Sequence, residues 1–188
     1  MRRICLCVLI AVFLFSCNSH IDSRFRTMVG TTVVVPTSQM KRIKCTKYSG
    51  LDDNKSEMFV VNYIDSLGCI SCKLTKKRAE EDMFLEKMQA DGLNMVYIVD
   101  ARFYDKDKVE DMMFDYRFEG IVYLDTCNAF LEANPHIPDN KLFHTFVINK
   151  EGKVLMVGNP FQNEKMEELF KKVMAKEKRE QKRKSVVA

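Results

Sequence analysis

Cys69-Ile70-Ser71-Cys72 is the stretch of this chain best suited to chemistry. Two thiols separated by two residues can share a two-electron change. The residues before them, Met58 to Ile64, form a compact apolar and β-branched run that predicts a buried strand. Asp65-Ser66-Leu67-Gly68 then makes a short loop, and a charged helical segment runs on to about Gln89. This order puts Cys69 in the first helical turn, where unpaired amides and the helix dipole stabilise a thiolate. Cys72 sits one turn further in, close enough to close a small disulfide ring. Cys69 is then the attacking thiol and Cys72 the resolving one. Gly68, Ile70 and Ser71 shape the rim.

Two other readings of the pair stand beside this one: a static structural disulfide and a metal site. A metal needs more than two ligands, and the chain has no second Cys-x-x-Cys. His136, His144, Cys45 or Cys127 could join only through the fold. Cu(I) would suit soft thiolates, so a carrier of that ion is the alternative kept, with no metal ligand assigned. Cys127 follows Asp125-Thr126 at a strand end, where a lone thiol is more often structural or buried. It could also accept a disulfide from the dithiol. Cys45 receives no role.

The elements that must hold the dithiol follow from periodicity. Thr31 to Pro36 and Arg42 to Thr46 read as N-terminal strands, and Leu93 to Val99 and Gly120 to Leu124 as core strands. Asp105 to Phe118 reads as an amphipathic helix through Val109, Met112, Met113 and Tyr116. Asp125 to Asn140 is a loop with one helical turn at Ala129–Glu132. Leu142–Asn149 and Lys153–Val157 are strands joined by Lys150-Glu151-Gly152, short enough for a hairpin. A last helix starts near Gln162, with Met166, Leu169, Phe170, Val173 and Met174 as its apolar stripe. The methionines at these spacings read as core packing. Strand–helix–strand units imply parallel pairing and the hairpin adds antiparallel strands, giving an α/β fold with helices on both faces of a mixed sheet.

The N-terminus reads as an address. Arg2 and Arg3 precede an apolar run from Ile4 to Phe15, too short to span a bilayer as a helix. It ends in Leu14-Phe15-Ser16-Cys17, which resembles the lipobox of bacterial lipoproteins. That resemblance implies a signal peptide over 1–16, acylation (palmitate-type) of Cys17 and a tether over 17–27. The implied location is the periplasmic side of a membrane, the outer one ahead of the inner. An exported compartment permits disulfides.

A second resemblance covers residues 28–175. The Cys-x-x-Cys after a core strand, and Thr145-Phe146-Val147-Ile148-Asn149-Lys150-Glu151-Gly152-Lys153-Val154, resemble thioredoxin-like proteins of the TlpA-like and redoxin branch. With the lipobox, the pattern looks most like thioredoxin-like lipoproteins of Bacteroides-type bacteria. The resemblance implies a thioredoxin-like fold with an N-terminal β extension. It also implies thiol–disulfide exchange with protein thiols and disulfides in the periplasm, and no cofactor beyond the Cys69–Cys72 disulfide. Gly68 stands where the family usually has Trp, Phe143 where it has the cis-Pro that faces the dithiol, and Asp65 is the nearest candidate for the buried acid that assists resolution in the family. Phe143, His144 and Thr145 are therefore expected at the rim, with His144 pointing opposite to its two neighbours along a strand. A non-catalytic binding module on the same fold is the competing function.

Composition narrows the field. The chain has 188 residues, 46% hydrophobic and 30% charged, which suits one folded domain. Its net charge of +4 is too mild to suggest nucleic acid. That charge is uneven, because residues 175–188 carry 6 Lys+Arg against 2 Glu. The stretch 176–188 is read as a basic tail that continues the helix into solvent or frays, with contact to anionic headgroups of a tethering membrane as the alternative.

Overall fold

The computed structural model describes residues 27–43, 57–65, 92–115 and 121–187. Among the described residues, six strands form one sheet. They are β1 (Lys41–Ile43), β2 (Met58–Ile64), β3 (Leu93–Asp100), β4 (Ile121–Asp125), β5 (Thr145–Asn149) and β6 (Val154–Val157). Helix α1 (Lys106–Asp115) joins β3 to β4, α2 (Ala129–Ala133) follows β4, and α3 (Glu164–Val187) follows the hairpin. The strand order is β1-β4-β3-β2-β5-β6. The three central strands β2, β3 and β4 run parallel, while β1, β5 and β6 pair antiparallel. This is the mixed sheet expected from the sequence.

The parallel strands are buried along their whole length because layers cover both faces. Period-2 alternation divides their side chains. Met58, Val60 and Ile64 join Met95, Tyr97 and Val99 on one face, under Val109 of α1 and Phe170 and Met174 of α3. Phe59, Val61 and Tyr63 join Val96 and Ile98 on the other, against Phe130 of α2, Phe143 and Phe146.

Four local expectations are corrected. Thr31–Pro36 does not form a strand; it is tied to the hairpin by a single bridge, Thr32 to Lys153. The reason lies a hundred residues away. At Val34 the amide donates to Asn134 Oδ1 at 2.8 Å and the carbonyl accepts from Asn134 Nδ2 at 2.7 Å, so a buried side chain takes the place of a strand. Gly152 permits the close pass of this segment: it sits at φ +81°, and a Cβ there would collide with the Val33 carbonyl.

The strand expected from Leu142 begins only at Thr145. Lys141–Phe143 is instead a 3-10 turn, opened by Asn140, whose side chain accepts the Leu142 amide at 3.0 Å. Strand alternation therefore does not set the direction of His144. The last helix extends unbroken to Val187, as expected of a tail that continues it, though its inward contacts outlast the apolar stripe. Glu177 is buried and accepts a hydrogen bond from Asn149 Nδ2 at 2.9 Å. Cys127, expected to be buried or structural, is an exposed free thiol.

Candidate functional site

Parallel strands bring their carboxyl ends to one edge of the sheet, and loops leaving that edge are where side chains can converge. Here the edge gathers Asp65 just past β2, Asp100 ending β3, Asp125 ending β4, and the turn that leads into β5. Asn62 pairs with Thr145 across β2 and β5. Their side chains meet as well, Thr145 Oγ1 donating to Asn62 Oδ1 at 3.0 Å.

His144 is fixed from several sides. Its carbonyl accepts the Tyr63 amide at 2.8 Å, and its ring packs edge-on against Tyr63 with centroids 5.1 Å apart. Nε2 lies 3.2 Å from the Pro138 carbonyl oxygen. A carbonyl can only accept, so Nε2 carries the proton. Nδ1 then faces Asp65 Oδ2 at 4.0 Å, and Lys141 Nζ approaches the same oxygen at 3.4 Å. The arrangement is a carboxylate between a fixed imidazole and an exposed cation. It can accept, hold or pass a proton at the end of β2.

Asp100 is tied differently. Arg102 grips it with two bonds, Nε to Oδ1 at 2.9 Å and Nη2 to Oδ2 at 2.8 Å. That hydrogen bond to Asp100 pushes the Arg102 guanidinium further above its ordinary range. Tyr63 stacks on Phe130 at 5.4 Å, and burial first, then the Asp100 charge, push its hydroxyl well above the usual tyrosine value. Asp125 is also buried, and it accepts the amides of Cys127, Ala129 and Phe130 at 3.2, 3.0 and 2.9 Å. The last two open α2, where a carboxylate satisfies unpaired donors and the helix dipole.

Of the residues predicted from sequence, Asp65, His144 and Thr145 meet at this edge. Phe143 is a core residue, 1% exposed. Gly68, Cys69, Ile70, Ser71 and Cys72 lie outside the described residues, as do Cys17 and Cys45. Sequence reasoning missed Lys141, Asn62, Asp100, Arg102 and Asp125 as parts of this edge. The available signal was an acid closing each apolar run, Val99-Asp100 and Leu124-Asp125.

No family model matches the chain, and no curated protein matches it. Solved structures do. A thioredoxin-like protein studied in its oxidized form superposes with a TM-score of 0.53 at 17% identity, over 79% of this chain and 97% of that one. A protein from Chlorobium tepidum described as a putative thiol:disulfide interchange protein DsbE gives 0.52 at 16% identity, over 78% and 97%. A domain described as a possible thiol-disulfide isomerase from Cytophaga hutchinsonii gives 0.50 at 17% identity, over 79% and 96%. The chain has a thioredoxin-like fold. Within that fold the β2 carboxyl end, with Asp65, and the turn before β5, with His144, stand side by side.

Proposed function

We propose that the protein is a membrane-anchored, periplasm-facing thiol–disulfide oxidoreductase that works through Cys69 and Cys72. One observation carries this reading. In a thioredoxin-like fold, the strand that leads directly into Cys-Ile-Ser-Cys ends beside a fixed histidine and a carboxylate at 4.0 Å from it. Cys69 follows Asp65 by four residues, a reach of at most about 14 Å of extended chain.

In the oxidising direction for the protein, the Cys69 thiolate attacks a substrate disulfide. One substrate sulfur bonds to Cys69 and the other leaves as a thiolate. The Cys72 thiolate then attacks Cys69, forming the Cys69–Cys72 disulfide and releasing the second substrate thiolate. The substrate gains two electrons and the dithiol loses two. Run backward, the same steps oxidise a substrate dithiol. Asp65, poised by Lys141 and His144, takes the proton from Cys72 as it becomes the attacking thiolate. The lipid on Cys17 would hold this domain at the membrane.

Trapping tests the assignment. Cys72→Ser should accumulate mixed disulfides between Cys69 and periplasmic proteins, visible as adducts that a reductant removes. Cys69→Ser should give none. Equal trapping by both variants would contradict the roles. Co-purification of copper with a pair that never oxidises would replace exchange by metal carriage. Labelling with a tagged palmitate should be lost in Cys17→Ser; retained label would remove the anchor.

A further inference from the structure

Helix α3 has 24 residues and is about 36 Å long. Its inner side packs through Met166, Phe170, Val173 and Met174. Its outer side is not evenly charged. At 100° per residue, Lys165, Lys172, Lys176, Arg179 and Arg183 fall within one arc of about 60°, and all five are exposed. Acidic side chains do little to neutralise the C-terminal half. Glu177 is turned inward onto Asn149. Glu180 stands 3.9 Å from Lys176 at one margin of the arc. Glu168 flanks the other margin in the first half.

The start of the domain borders a cleft that this helix also lines. Val29, two residues past the first described residue, lines an apolar cleft of about 590 Å³ together with Leu169 and Val173 of α3. Thr27 is ten residues on from Cys17, so the tether reaches at most about 36 Å when fully extended. A domain held by such a tether would keep α3 near the headgroups. Lysine and arginine are attracted to an anionic surface only within about a Debye length of it.

We propose that the outer face of α3 is a docking surface for anionic lipid headgroups, orienting the domain on its membrane. Charge complementarity carries the proposal: five aligned cations meet a surface of phosphates. The choice of a membrane over another polyanion rests on the lipid anchor proposed at Cys17.

Sedimentation of the full chain with vesicles tests it. Phosphatidylcholine vesicles are compared with vesicles containing one third phosphatidylglycerol, so that the apolar leader contributes equally to both. The chain should prefer the anionic vesicles about tenfold or more at low salt, and lose the preference near 0.5 M salt. K172Q/R179Q/R183Q should lose it at low salt, with an unchanged circular dichroism spectrum. K108Q/K150Q/K153Q removes the same charge elsewhere and should keep it. Equal binding to both vesicle types would overturn the proposal, and so would equal losses in the two triple variants. Tighter binding to a single-stranded RNA than to anionic vesicles at the same salt would overturn it in favour of a nucleic-acid surface. The vesicle preference is read independently of palmitate labelling, so a failed anchor and a failed docking surface are separable.

Discussion

Asp100 and Asp65 close neighbouring parallel strands at the same edge of the sheet, yet their surroundings differ. The Asp100 side chain is 2% exposed and both its oxygens are held by Arg102. The Asp65 side chain is 16% exposed, with Lys141 at 3.4 Å and His144 at 4.0 Å. A carboxylate gripped by a guanidinium cannot change its proton without breaking the grip. One facing an imidazole and a flexible ammonium at longer range can. The first geometry builds the end of β3, and the second leaves the end of β2 able to do acid–base work. Asp125 belongs with Asp100, since its carboxylate is committed to three backbone amides.

The contrast can be broken by mutation. Asp125→Ala should have the largest effect, a loss of about 2–3 kcal/mol in urea unfolding, because it leaves buried amides without an acceptor. A loss under about 1 kcal/mol would mean that water replaces the carboxylate easily. Arg102→Ala should cost about 2 kcal/mol, less than for a fully buried pair because the arginine is partly exposed. If it is neutral, Asp100 is not committed to Arg102 and the contrast with Asp65 fails.

Tyr63 sharpens the same boundary through pH. Its hydroxyl is held above the ordinary value, so above about pH 10 the unfolded chain gives up this proton while the folded chain keeps it. The stability this tyrosine contributes is whole below that pH and declines as pH rises past it. Tyr63→Phe should flatten the alkaline limb of stability against pH. An unchanged limb would show that Tyr63 does not titrate differently in the two states.

Asp65→Asn should change stability least, by under about 0.5 kcal/mol, as expected of a partly exposed pair. It should nevertheless slow thiol–disulfide exchange by about a hundredfold at neutral pH and move its pH profile. An exchange rate within twofold of the original would reduce Asp65 to a loop acid held by Lys141.

The legible parts of the fold were those written locally. β2, β3 and β4 are runs of apolar and β-branched residues, and burial on both faces keeps them unbroken. The hairpin was marked by Lys150-Glu151-Gly152, and α2 by the short apolar turn at Ala129. The misreadings arose where a distant side chain overrides local propensity. Thr31 to Val35 has strand composition, but Asn134 takes the amide and carbonyl of Val34. His144 follows a 3-10 turn because Asn140 captures the Leu142 amide, a signal that Asp139-Asn140 carried and the apolar run after it masked. Asp65 and His144 were both nominated from sequence, but nothing local says that they face each other; that follows from β2 pairing with β5. Asp100 and Asp125 were missed because a terminal acid acquires meaning only from its partner.

The most direct test of the account is a redox titration of the chain, with thiols trapped at each potential and Cys69→Ser and Cys72→Ser as controls. A reversible two-electron couple between about −120 and −270 mV is expected, absent from both variants. A pair that stays oxidised far below about −300 mV would be structural and would contradict exchange as its function.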